Sequence, residues 1–216
     1  MISKNVFGII LSAGVAATAS ADVISETNPA VIDWGFVGTS QVTDGPAQLY
    51  PSGITVAGAN GPITDVNITL HNGNHTWVAD LELTLVSPAG TAVRVLDLTG
   101  VANADSLDGD ITFDDSAAGL FPDDDNPDGS GTVSGTFQVT DYENIDADVA
   151  ASAFGLDMSA FNGEDANGTW NLYVYDENGA DTGTFDGWTL DIVTVPAPAS
   201  AALLGLGGLA AARRRR

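Results

Sequence analysis

Cysteine is absent from all 216 residues, so the chain has no disulfide framework, no thiolate zinc site and no thiol nucleophile, whatever compartment it occupies. Cations are nearly as scarce, with six Lys and Arg against 29 Asp and Glu. Lys4 and the four terminal arginines take five of those six places, which leaves Arg94 as the one cation among all the carboxylates. Nucleic-acid affinity rests on Lys and Arg displacing counterions, so a surface of this sign excludes nucleic acid as a partner. Histidine occurs twice, at His71 and His75, and neither a His-rich metal cluster nor a phosphate-binding glycine loop is present. The length leaves room for one β-rich domain of about 170 to 250 residues and none for a two-domain enzyme. At 44% hydrophobic residues, the chain still has the material for a core, and the charge does not imply disorder.

Both ends read as addresses. Lys4 precedes an apolar run over residues 6–15, and Ala19 and Ala21 supply the small residues of a signal peptidase site, so residues 1–21 are expected to be a secretory signal. The main domain is then expected to span 22–194 and a sorting tail 195–216. In that tail Val195, Pro196 and Pro198 precede an uncharged run, 199–212, and Arg213, Arg214, Arg215 and Arg216 follow it. As a helix the run covers about 21 Å against about 30 Å of hydrocarbon, which suits a transient anchor. This layout resembles the bacterial PEP-CTERM signal, in which an exosortase removes the tail and passes the protein to the cell surface or beyond. The family's middle Glu is Ala197 here. The resemblance implies an exported bacterial protein, held at the membrane only through its tail and then surface-bound or extracellular.

The body reads as β-sheet. Apolar residues alternate with polar ones at Val66, Ile68 and Leu70, at Leu81, Leu83 and Leu85, at Trp170, Leu172 and Val174, and at Trp188, Leu190 and Ile192, a period of two. Asn72-Gly73, Ser87-Pro88-Ala89-Gly90, Glu177-Asn178-Gly179 and Asp186-Gly187 mark turns. Residues 150–161 fit a short helix or an ordered loop. Short strands between such turns predict a two-sheet sandwich or jelly roll.

Two ordered motifs carry a further resemblance. His75, then Asp80-Leu81 opening a strand, then Ser87-Pro88-Ala89-Gly90-Thr91 is the first. Gly168-x-Trp170-x-Leu172-x-Val174-x-Asp176, continued by Gly183-x-Phe185-x-x-Trp188-x-Leu190, is the second, and Phe113-Asp114-Asp115-Ser116-Ala117 lies between them. Together they resemble the P domain, or Homo B domain, of kexin- and furin-like proprotein convertases, over roughly residues 31–193. The resemblance implies an eight-stranded jelly-roll β-sandwich of the galactose-binding-domain-like kind, one that stabilises a neighbouring subtilisin-like catalytic domain. No such catalytic domain fits in this chain, and no Gly-x-Ser-x-Gly elbow occurs, so a non-enzyme is expected, with His75 packing or bonding a turn.

Carboxylates are the chemistry on offer. Of the 29 acids, 24 are Asp, whose short side chain suits loops and cation binding. Asp124, Asn126, Asp128 and Gly129 fit the opening of a calcium loop, although its twelfth position is Gly135 instead of Glu and Pro127 interrupts it; Asp114 or Asp115 would have to complete the set. Asp176 and Asp181, which bracket an Asn-Gly turn, form a second candidate, and Asp80 a third. Calcium is the expected cofactor. An acid-rich surface suited to saline surroundings explains the charge equally well at this level.

Two functions follow. One is a secreted, calcium-supported module that binds an extracellular protein or glycan at the cell surface or matrix, with signal peptidase and exosortase as processing partners. The other is an accessory domain that assists a separate subtilisin-like protease in trans. Fold analogy adds a sugar-binding jelly roll, with Tyr173 and Tyr175 as stacking residues.

Overall fold

A computed structural model describes residues 20–33, 45–97, 106–122, 132–141, 153–179 and 181–195. Residues Ala21–Val195 form a compact unit. Its strands in chain order are β1 (Asp22–Asn28), β2 (Ile32–Asp33), β3 (Gly45–Pro46), β4 (Ser52–Val56), β5 (Ile63–His75), β6 (Leu81–Val86), β7 (Thr91–Asp97), β8 (Ser106–Phe113), β9 (Thr132–Phe137), β10 (Thr140–Asp141), β11 (Ala153–Gly155), β12 (Gly168–Asp176), β13 (Gly183–Phe185) and β14 (Trp188–Thr194). Two 3-10 turns, Val78–Asp80 and Met158–Phe161, are the helical pieces among the described residues. Of the 150–161 stretch expected to be a short helix or an ordered loop, the described residues 153–161 hold a short strand and a 3-10 turn.

The strands form the two layers of a sandwich. In the first sheet, β1-β14-β5 continues on one edge of β5 as β13-β2, while β8 and then β9 extend from β5. In the second, β10-β7-β6-β12-β3 is the main path, with β11 on β7 and β4 on β12. Most pairs are antiparallel; β8–β9, β10–β7 and β11–β7 are parallel. The expected all-β sandwich is what the chain builds, with more strands than the eight implied, because two- and three-residue pieces such as β2, β3 and β10 pair along the sheet margins.

All twelve apolar residues of the four alternating segments are buried, as a period of two requires when one sheet face meets another. The two core indoles keep their N–H groups bonded: Trp170 donates to the Ala166 carbonyl at 3.0 Å and Trp188 to Ser52 Oγ at 2.9 Å. An unbonded indole N–H in this core would forfeit a few kcal/mol, roughly. The Ser87–Gly90 turn closes by a bond from the Gly90 N–H to the Ser87 carbonyl at 3.0 Å.

Asn72-Gly73 is not a turn. Strand β5 runs straight through it, with a register shift against β8 between Leu70 and Gly73 and a left-handed φ of 51° at Asn72. That is a β-bulge, a role for which an Asn-Gly pair serves as well as it does for a hairpin. The bulge holds because Asn72 is tied at both ends, its N–H to Asp110 Oδ1 and its Nδ2 to Asp186 Oδ2, each at 2.8 Å.

The register fixes which features share an end of the sandwich. Thr194 pairs with Asp22 on one side and with Ile63 on the other. The start of β1, the end of β14 and the start of β5 therefore lie together, and His75 closes β5 at the opposite end, roughly 40 Å away along a strand of this length.

Candidate functional site

At that opposite end the strands deliver a cluster of polar side chains. β5 ends on His75, β12 ends on Asp176 opposite Leu81, and Asp80 immediately precedes Leu81. Gly183 of β13 pairs with His75, and a Cβ there would strike the His75 ring and the Asn74 carbonyl, so only glycine permits the approach. His75, Asp80 and Asp176 are 0%, 5% and 4% exposed.

Hydrogen bonds link these side chains to one another and to the loops beside them. The His75 ring places Nδ1 2.9 Å from the Trp77 carbonyl and Nε2 3.4 Å from Asp176 Oδ2. Asp176 Oδ1 accepts the Asn178 N–H at 3.2 Å, and Asp80 Oδ1 accepts Asn178 Nδ2 at 2.9 Å. Asp181 Oδ1 accepts the Thr76 hydroxyl at 2.7 Å. Burial pushes the Asp80 carboxyl above its ordinary range, the Asn178 amide opposes that shift, and the charges of Asp176 and Asp181 add to it. Three of the sequence-predicted ligands, Asp80, Asp176 and Asp181, are thus brought to one corner, with Asn178 donating its N–H groups to two of them.

Oxygen donors of this kind suit a hard cation such as calcium. Among the described residues, however, no three His, Asp or Glu side chains are arranged to hold one metal ion. Here the carboxylates face Asn178, His75 and Thr76, and an ion would have to take over some of those bonds. Asp124, Asn126 and Asp128 lie outside the described residues, as do Ala19 and the tail from Pro196 onward; Ala21 and Val195 flank β1 and β14. Asp115 is committed elsewhere, accepting the Met158 and Ser159 N–H groups at 3.1 and 2.9 Å at the start of a 3-10 turn, and Asp114 accepts the Ser116 N–H at 2.7 Å. Among the described residues no helix is long and apolar enough to cross a membrane.

A second cluster was not legible in the sequence. Arg94 on β7 is 6% exposed and pairs with Asp97 Oδ2 at 2.7 Å and Glu82 Oε1 at 3.4 Å. Glu82 also shares a side-chain hydrogen bond with Glu177, next to the carboxylate corner. Its carboxyl is pushed up to about 7, first by burial, with Asp97 and Glu177 adding to the shift and Arg94 opposing it. The available signal was a single arginine inside an otherwise apolar strand, a position where a buried cation requires partners. Tyr173 is packed, its ring 4.9 Å from Tyr50 in an edge-on arrangement and against Val86 and Ala92.

Comparison with known proteins gives a family match over most of this unit. The family model described as the proprotein convertase P-domain matches residues 63–192. Among solved structures, the chain is similar to the serine protease of Aeromonas sobria in its complex with a chaperone, at 19% identity and a TM-score of 0.39, covering 85% of this chain and 28% of that one. It is also similar to a second structure of the Aeromonas sobria serine protease, at 18% identity and a TM-score of 0.36, covering 84% and 27%. The chain thus spans little more than a quarter of the length of those proteases. No curated protein matches it.

Proposed function

This chain belongs to the proprotein convertase P-domain family, and on that premise we propose that it is an exported, non-catalytic module that binds an extracellular protein or glycan at the cell surface and is supported by calcium. The observation that carries the reading is the placement of the two ends. Asp22 and Thr194 are cross-strand partners, so the described sandwich begins and ends at one place, which supports tethering from that end. The carboxylate corner stands at the far end of β5 from those two residues. Calcium at that corner would have to take over bonds that Asp80, Asp176 and Asp181 now make to Asn178, His75 and Thr76, and would neutralise an Asp80 carboxyl raised first by burial and further by the charges of Asp176 and Asp181.

Retention of the purified protein by envelope material, with and without calcium, tests the reading. Calcium-dependent retention is expected, and none under either condition would overturn it. Family membership also favours a second reading, an accessory role for a separate subtilisin-like protease. A protease of that class in the retained fraction, with activity that rises when this protein is added, would decide for it.

A further inference from the structure

Five strands of the first sheet align five threonines in one line. Thr27 pairs with Thr189, Thr189 with Thr69, Thr69 with Thr112 and Thr112 with Thr136. The residues on either side of each along its strand include the buried Leu190, Ile68, Leu70, Ile111 and Phe113, so the threonines point away from the core. Thr27 and Thr136 are exposed and the three between them half-buried. With strands about 4.8 Å apart, the line is roughly 19 Å long and runs across the strand direction.

Four of the five hydroxyls are held in place by hydrogen bonds. Thr27 and Thr189 oxygens lie 2.8 Å apart, Thr69 and Thr112 oxygens 2.9 Å apart, and Thr189 lies 2.7 Å from His71 Nε2. Each hydroxyl has one donor and two acceptor sites, so these bonds orient the groups and leave capacity for a ligand. Threonine is stiff at χ1, and little freedom remains to be lost on binding.

The charge around the line narrows the ligand. Asp191 pairs with Asn67 one row along on one side, and His71 with Asp110, Nδ1 to Oδ2 at 3.5 Å, lies on the other. Carboxylates accept hydrogen bonds from sugar hydroxyls and repel anionic polymers. We propose that this line of threonines is a binding surface for a neutral polysaccharide chain lying across the strands, with successive sugar hydroxyls meeting successive threonine hydroxyls. The inference rests on the surface-module reading and names its ligand class.

Valine is as good a strand former as threonine, which separates a binding role from a structural one. The test is native electrophoresis of the purified protein through gels containing hydroxyethylcellulose, xylan or, as the anionic control, polygalacturonate. Retardation by a neutral polymer and none by polygalacturonate is expected. The Thr69→Val/Thr112→Val variant should keep its thermal transition and bind about tenfold or more weakly. Should that pair lose its fold, Thr27→Val/Thr136→Val at the exposed ends of the line replaces it, with the same expected loss.

No retardation by either neutral polymer, equal retardation by polygalacturonate, or unchanged binding in a folded valine variant overturns the proposal. Ice-crystal shaping that the valine variants lose, without polysaccharide binding, overturns it in favour of an ordered-water ligand. Envelope retention without polysaccharide binding sinks the threonine line and leaves the surface-module reading standing. Polysaccharide binding without envelope retention does the reverse.

Discussion

His75 and Asp176 stand 101 residues apart in the chain and 3.4 Å apart in the fold, Nε2 to Oδ2, both within the buried corner where β5 and β12 end. Asp176 also accepts the Asn178 N–H. Asp176→Ala removes the carboxylate that faces the buried His75 ring and accepts the Asn178 N–H, and breaking a buried bond of this kind costs about 1 to 3 kcal/mol. A loss of about 2 kcal/mol or more in urea denaturation is expected, and a change below about 0.5 kcal/mol would show that the pair does not hold the corner.

Thr91, which ends the first hallmark motif, donates its hydroxyl to Glu164 Oε1 in the loop that leads into the second. Gly168 packs so closely on Pro88 that a Cβ would clash with its ring. Thr91→Val removes a charge-assisted bond and is expected to destabilise by about 2 kcal/mol. A double-mutant cycle with Glu164→Gln should show the two effects to be coupled; strict additivity would break the proposed link.

Glu82 predicts a pH dependence. Its carboxyl titrates near 4.5 when unfolded and is pushed up to about 7 when folded. A raised folded value means that its stabilising contribution is whole below about pH 4.5 and lost as pH rises through 7. The loss is on the order of 3 kcal/mol, shared with Glu177 because the two are coupled. Glu82→Gln should therefore flatten the stability profile between pH 5 and 8 and be the more stable protein at pH 8. Parallel profiles for the two proteins would refute the assignment.

Calcium binding at the corner should raise the melting temperature. A hundredfold excess over the dissociation constant adds about 2.7 kcal/mol, and magnesium should do less because it resists losing water. Asp80→Asn/Asp181→Asn is expected to abolish the calcium-specific shift. Persistence of the shift there, with loss in Asp124→Asn/Asp128→Asn, moves the ion to the 123–129 loop. A shift matched by sodium chloride of equal ionic strength reduces the carboxylates to a screened surface.

Processing gives a fifth expectation. A fusion carrying residues 195–216 should be cut near Pro196 to Pro198 in a host that makes an exosortase and stay membrane-held in one that does not. Extracellular protein that retains Arg213 to Arg216, detected by mass spectrometry of the terminus, would contradict this.

The sequence by itself determined the fold class, the core faces and the family. Alternation at Leu81, Leu83 and Leu85, and again from Trp170 to Val174, states which side chains turn inward, because the side-chain period of a strand is two whatever it pairs with. The Ser87–Gly90 turn was legible for a similar reason, its chemistry being local. Asn72-Gly73 misled, since the same left-handed residue serves a bulge or a hairpin, and only the straight pairing of β5 with β14 and β8 decided between them. Tertiary structure alone decided which carboxylates meet, that Arg94 answers to Glu82 and Asp97, and that five threonines from five strands fall in line. Alternation fixes the face a residue occupies but not its neighbour on the next strand; that lateral register is set by long-range pairing across more than a hundred residues, such as Thr27 with Thr189, and by the packing of the core beneath it.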